Sequence, residues 1–228
     1  MTKKPETVKR EDLIRRKDGL TYKKYARIPF TGVIESFDDD PQLRRRQNYK
    51  NGQPEGFHEE YSEDGQLWSG ENYKNGELEG PYESFHNNGQ LRLRANFKNG
   101  KQDGLWESFY SHGQLWRREN YKNGKEDGLW ESFYINGQLQ TRNNYKNGQL
   151  DGRMELFHKN GQLLSKGNFK NDQEDGLWES FYDNGQLLSR LNFKNGQLDS
   201  LWEDFDKKGG LIEYETWVSR DLTETIEF

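Results

Sequence analysis

Residues 127–150 read DGLWESFYINGQLQTRNNYKNGQL, and the phrase recurs along the chain every 24 residues. Its pentapeptide Asn-Tyr/Phe-Lys-Asn-Gly starts at Asn48, Asn72, Asn96, Asn120, Asn144 and Asn192, and the copy at Asn168 ends Asn171-Asp172. Two alternating segments, Leu129–Tyr134 and Leu139–Lys146, each end at an Asn-Gly pair, Asn136-Gly137 and Asn147-Gly148. Asn-Gly between alternating segments signals a hairpin with a type I′ turn, which needs positive φ at both central residues. The unit is therefore strand, turn, strand, turn. Period two and the recurring Asn and Gly exclude a helix.

A two-residue turn at Asn136-Gly137 sets a register. Tyr134 then faces Leu139, Ser132 faces Thr141, Glu131 faces Arg142 and Trp130 faces Asn143. Side chains alternate between faces. Trp130, Ser132, Tyr134, Leu139 and Tyr145 are expected on the core face, with Leu129, Glu131, Phe133 and Arg142 on the other. The same arithmetic pairs Glu83 with Arg94, Glu107 with Arg118, Glu155 with Lys166 and Glu179 with Arg190. As exposed pairs, each would contribute about 0.2–1 kcal/mol. Glu59 falls opposite Gly70, and the turn at Asp40-Pro41 lacks its Gly. Asp38-Asp39-Asp40 reads as a turn cluster.

A glycine column, Gly56, Gly80, Gly104, Gly128, Gly152 and Gly176, precedes the main Trp column by two residues. Glycine inside a strand marks a bend or a close approach, and a ring packed over each Gly is the expectation. A unit this small cannot bury its own apolar face, so copies must stack. The fold class expected is all-β: an elongated, twisted, antiparallel single-layer sheet of 24-residue hairpin repeats with atypical ends, about seventeen strands from Gly32 onward. Residues 1–31 are read as an N-terminal arm and cap, 32–217 as the array, and 218–228 as a C-terminal cap that covers the open edge.

Composition narrows the function. Hydrophobic residues are 30% and charged residues 32%, which resembles a disordered chain, but seven Trp, twelve Tyr and thirteen Phe at fixed phases contradict that. The net charge of -5 does not supply the basic surface that nucleic acid needs. There is no Cys, hence no thiolate metal site. The N-terminus has no apolar signal core, and no apolar run reaches the roughly 18 residues of a membrane span. A cytoplasmic protein is expected.

No catalytic, cofactor or metal site emerges. His86 and His158 share a phase but lie about 30 Å apart at roughly 4.8 Å per strand, and they read as surface residues. His112 substitutes for a turn Asn. The column Glu55, Glu79, Asp103, Asp127, Asp151, Asp175 and Asp199 repeats every ~10 Å. That is too wide for a glycosidase carboxylate pair or shared calcium ligation. It reads as a set of turn carboxylates or as an acidic stripe that recruits a basic partner. Arg153 and Met154, where other repeats carry Leu and Trp, are a second candidate contact. The expected partner is another protein, with no nucleic acid, no membrane and no cofactor, and the chain is expected to act as a monomer.

The unit NYKNGQLDGLWESFYINGQL resembles the MORN-repeat variant of bacterial proteins and is similar to the YwqK-like group labelled toxin–antitoxin antitoxins. The resemblance covers about residues 11–217, including the leader DLIRRKDGLTYKKYARIPFTG. It implies a long twisted single-layer antiparallel sheet. It also implies a non-enzymatic role as an antitoxin or immunity-type neutraliser of a protein toxin or effector. The alternative is a membrane-surface or scaffold protein, since MORN proteins elsewhere are associated with membranes and scaffolding. The 24-residue period and the Asn-Gly-Gln-Leu turn depart from the typical unit.

Overall fold

The two Asn-Gly pairs of a repeat build two different turns. In the computed structural model, which describes residues 6–37, 42–218 and 221–227, Asn147 (φ 53) and Gly148 (φ 90) both sit at positive φ, between the paired residues Lys146 and Gln149. This is the expected type I′ geometry. At Asn136-Gly137 only Gly137 has positive φ, at 87. The Gly137 N–H donates to the Tyr134 carbonyl at 2.9 Å, and the Tyr134 N–H donates to the Gln138 carbonyl at 2.8 Å. The loop is a four-residue turn closed by a left-handed glycine and a bulge. It corrects the expected facing of Tyr134 and Leu139, because Phe133 pairs with Leu139 instead and puts Leu139 on the face opposite to the one expected. The bulge absorbs one residue, so deeper in the hairpin Ser132–Thr141, Glu131–Arg142 and Trp130–Asn143 pair as the register predicts.

The chain divides into two compact units, Met1–Gly113 and Gln114–Phe228. Each is all-β, and from Gly32 onward each is an antiparallel layer in which successive strands are neighbours. Among the described residues, twenty-two strands run from Gly32 to Glu227. Five of them are two-residue pieces that continue into the next strand, which leaves the expected seventeen. The one helix among the described residues is a 3-10 turn, Arg10–Asp12. The expected turn at Asp40-Pro41, and Asp38-Asp39-Asp40 with it, lie outside the described residues.

In the first unit, Thr7–Lys9 pairs in parallel with Gly32–Phe37, so a strand of the leader occupies the edge of the first hairpin. A small hairpin, Leu13–Arg15 with Thr21–Lys23, lies over the same end. Here the chain comes nearest to an ordinary core, with Tyr22, Phe30, Val33 and Ile34 buried. In the second unit, Asp221–Glu227 pairs with Leu211–Val218 and lengthens the sheet by one strand.

Elsewhere rings stacked along one face hold neighbouring hairpins together. Trp130 lies between Tyr121 (5.4 Å between centroids) and Tyr145 (4.7 Å), and Trp178 between Phe169 (5.2 Å) and Phe193 (6.3 Å). In the first unit His58 takes the Trp position between Tyr49 and Tyr73. Its Nε2 donates to the Asn48 carbonyl at 2.8 Å, just as the Trp130 indole donates to the Asn120 carbonyl at 3.1 Å. Burial lowers the His58 pKa, against the opposing pull of that hydrogen bond.

The expected ring over the glycine column is absent. Gly128 has φ 106, and a Cβ there would meet Asn120 at 3.5 Å and no aromatic atom. The column is conformational. Across Asp127 and Gly128 the strand gains two residues on its partner, passing from the Tyr121–Glu126 pair to the Arg118–Glu131 pair. Such a bulge frees backbone groups. The first Asn of the pentapeptide takes them up: Asn120 Nδ2 donates to the Leu129 carbonyl at 2.7 Å, and its carbonyl accepts from the Asp127 N–H at 3.0 Å. Rings do cover three other glycines, Phe30 over Gly32, Phe57 over Gly70 and Trp178 over Gly167.

Candidate interaction surface

The acidic column sits at the bulges. Asp103 in the first unit and Asp127, Asp151 and Asp175 in the second are half-buried at equivalent positions. The backbone N–H of each donates to the Asn of the preceding strand, at 2.9 to 3.0 Å. The carboxylates also reach forward. Glu55 accepts from the N–H of Asn75 at 2.7 Å, Glu79 from Asn99 at 2.8 Å and Asp127 from Asn147 at 3.2 Å. These carboxylates therefore fasten the type I′ turn of the next repeat, and the turn-forming reading of the column holds for them. One oxygen suffices for that bond, so the charge remains available at the rim.

The two variable residues separate by face. Arg153 pairs with Glu155 at 2.7 Å, and its side chain is 60% exposed. Met154 lies opposite Gly167, the glycine covered by Trp178, so the loss of one Trp is matched by a ring from the following hairpin. Met154 is explained by packing.

The Glu–Arg pairs form a ladder of shared ions. Arg142 contacts Glu131 at 2.9 Å and Glu155 at 3.4 Å; Arg190 contacts Glu179 at 3.5 Å and Glu203 at 3.1 Å; Arg94 contacts Glu83 at 3.0 Å. Glu155 faces Lys166 in register, but the Lys166 ammonium turns to Glu179 at 2.7 Å. These are not simple surface pairs: Glu131 is only 9% exposed. Glu59 lies opposite Gly70 as expected, which interrupts the ladder.

His86 and His158 do more than decorate a rim. Their Nε2 atoms donate to the carbonyls of Phe109 (2.9 Å) and Phe181 (3.1 Å) in the next repeat. The Tyr134 and Tyr182 hydroxyls make the same bond to Phe157 (2.8 Å) and Phe205 (2.9 Å). A sequence reading sees His and Tyr as different; position shows them as one donor.

Sequence reasoning placed Leu129 on the ladder face but missed the exposed apolar column it belongs to. Phe57 (45%) and Leu105 (42%) in the first unit, and Leu129 and Leu177 in the second, are exposed large apolar residues at one phase of the repeat. Their 24-residue spacing was the available signal. The second unit holds one further buried carboxylate, Glu119, 5% exposed and 3.3 Å from Arg117. Burial raises its pKa against the lowering effect of Arg117. Among the described residues no group of three His, Cys, Asp or Glu could hold a metal ion, and no helix is long and apolar enough to cross a membrane.

The repeat unit itself decides the relationship. The MORN repeat variant matches six times, at residues 54–75, 78–99, 102–123, 126–147, 150–171 and 174–195, more than half of the chain. The chain belongs to the MORN repeat variant family. Each matched segment contains a type I′ Asn and a bulge Asn, the two residues that fasten one hairpin to the next. MORN repeats typically serve binding or scaffolding and are generally non-enzymatic. No curated protein matches the chain.

Proposed function

We propose that this MORN repeat protein is a non-enzymatic protein-binding array. It acts as a cytoplasmic, monomeric neutraliser of a basic protein toxin or effector, in the manner of the YwqK-like antitoxins its sequence resembles. The observation that carries the reading is the pairing of two periodic features in each unit. Large apolar side chains stand exposed at one phase, and carboxylates stand at the adjacent bulges. Protein interfaces combine apolar contact with charge complementarity, and each unit offers both at successive repeats. Asp103, Asp127, Asp151 and Asp175 supply the charge. Arg153 and Met154 mark where one repeat departs from the rest.

The scaffold or membrane-surface alternative draws on the same exposed Phe57, Leu105, Leu129 and Leu177. A membrane surface also needs clustered cations, and here the Arg side chains of that face are shared between glutamates. The test is capture of a protein partner by the full chain, with the partner identified and titrated, run beside co-sedimentation with anionic liposomes. Saturable binding to the purified partner without liposome binding supports the proposal. Liposome binding alone overturns it.

A further inference from the structure

One hairpin of the first unit lacks the fastening found at His86 in the same unit and at Tyr134, His158 and Tyr182 in the second. At its tip Ser62 stands where the matching repeats carry His86, Tyr134, His158 and Tyr182, each donating to a carbonyl 23 residues on. Two residues further, Asp64 stands where Asn88, Asn136, Asn160 and Asn184 donate side-chain N–H bonds to Ser111, Lys159, Asp183 and Lys207. The equivalent acceptors here are the carbonyls of Phe85 and Asn87. Ser62 bonds locally with Gln66, at 3.2 and 3.1 Å, and an ionised Asp64 has no proton to give. The ring that fills this space elsewhere is missing, and an open cleft of about 450 Å³ lies there.

The lining of this cleft is rich in acceptors. Glu60, Glu63 and Asp64 contribute carboxylates, Ser62 a hydroxyl, and Asn87 borders the opening. Trp68, 38% exposed, presents a ring. Glu60 is bound by Arg45 at 2.6 Å, and Arg44 is the cation among the described lining residues, so Glu63 and Asp64 leave the cleft net acidic. A group with many donors, no acceptor, a positive charge and a flat face answers every one of these features. That group is a guanidinium, which stacks on indole and bonds carboxylates and carbonyls in one plane. We propose that this cleft receives an arginine side chain of a protein partner. The proposal rests on the array being a protein binder and adds where a basic partner is anchored.

The probe is Nα-acetyl-argininamide, with the isosteric, uncharged citrulline analogue as control. Both are titrated into the full chain while the Trp68 indole N–H is followed by NMR, assigned with Trp68→Phe. The arginine compound should shift this resonance saturably, and the citrulline compound should bind at least about tenfold more weakly, because charged hydrogen bonds carry that difference. Ser62→Tyr should restore the ring and its bond to Phe85, melt no lower than the parent chain and lose at least about tenfold in affinity. Asp64→Asn, which restores the amide donor without changing size, should also weaken binding and stands in if Ser62→Tyr misfolds. Equal binding of arginine and citrulline, or unchanged affinity in both variants, overturns the cleft as an arginine site. A purified partner that binds Ser62→Tyr as tightly as the parent chain removes the cleft from the interface. Whether any protein partner binds at all is read separately by capture, so the two ideas fail independently.

Discussion

Glu131→Ala should cost far more than a surface charge pair. Glu131 accepts both the Nε (3.0 Å) and Nη2 (2.9 Å) of Arg142, and Arg118 lies 3.7 Å from its other oxygen. Its side chain is 8% exposed, while both arginines are 43% exposed. An exposed ion pair contributes about 0–1 kcal/mol, and removing one partner of a fully buried pair costs about 3–5 kcal/mol. In Glu131→Ala the surviving arginines are half-solvated, and Arg142 keeps Glu155. The cost should therefore fall between these limits, at about 2 kcal/mol. The control is Asp183→Ala in the same unit, whose pair with Lys207 is 69% and 65% exposed; it should cost under about 0.5 kcal/mol. Thermal melts followed by Trp fluorescence should fall by roughly 4–8 °C for Glu131→Ala and by under roughly 2 °C for Asp183→Ala. Equal melting of the two variants would refute the argument that the ladder carboxylates are structural.

Three further outcomes follow from the same geometry. Gly128→Ala should destabilise by about 1–3 kcal/mol through backbone strain, whereas Ser200→Gly, at φ 72, should stabilise; denaturant midpoints moving the opposite way would restore packing as the cause. His58 has a lowered folded pKa, so its contribution is fully present above its unfolded value, about 6.5, and is lost as pH falls below it. His58→Trp should flatten the change in melting temperature between pH 7.5 and 5, and an unchanged slope would clear His58. Glu119 has a raised folded pKa, so burying its charge costs stability at neutral pH. Glu119→Gln should raise the melting temperature at pH 7, with the gain shrinking towards pH 4, and a lower temperature at pH 7 would mean that Arg117 dominates.

The sequence made the hairpins legible because Asn-Gly pairs and period-two alternation are local signals. The Glu131–Arg142 register came out correctly although the turn beside it did not, because the bulge at Phe133–Leu139 returns the strands to phase. The Gly128 column was visible as a column, but its cause was not. Positive φ and a covering ring both select glycine, and only the backbone separates them. The Asn120 amide was hidden by its own regularity, since a residue present in every copy looks like turn chemistry. Burial of Glu131 was not legible, because its exposure depends on arginine stems from two neighbouring strands. The Ser62 cleft needed the structure most. The substitution is plain in the sequence, but the 23-residue bond that it deletes appears only once rings and carbonyls are placed. The acidic column was legible both as turn carboxylates and as charge, and the bond from Asn147 to Asp127 leaves both roles compatible.

The central claim is that repeated charge along the array captures a basic protein. It is tested most directly by titrating the captured partner against the chain and against the variant Asp103→Asn, Asp127→Asn, Asp151→Asn and Asp175→Asn, at low and high salt. Asparagine keeps an oxygen to accept the turn N–H, so the fold is retained while the charge is removed. Each single change should weaken binding slightly. The quadruple variant should bind much more weakly, through a slower on-rate, and should lose most of the salt dependence. An unchanged affinity and salt slope in a folded quadruple variant would contradict the account and take the acidic column out of the interface.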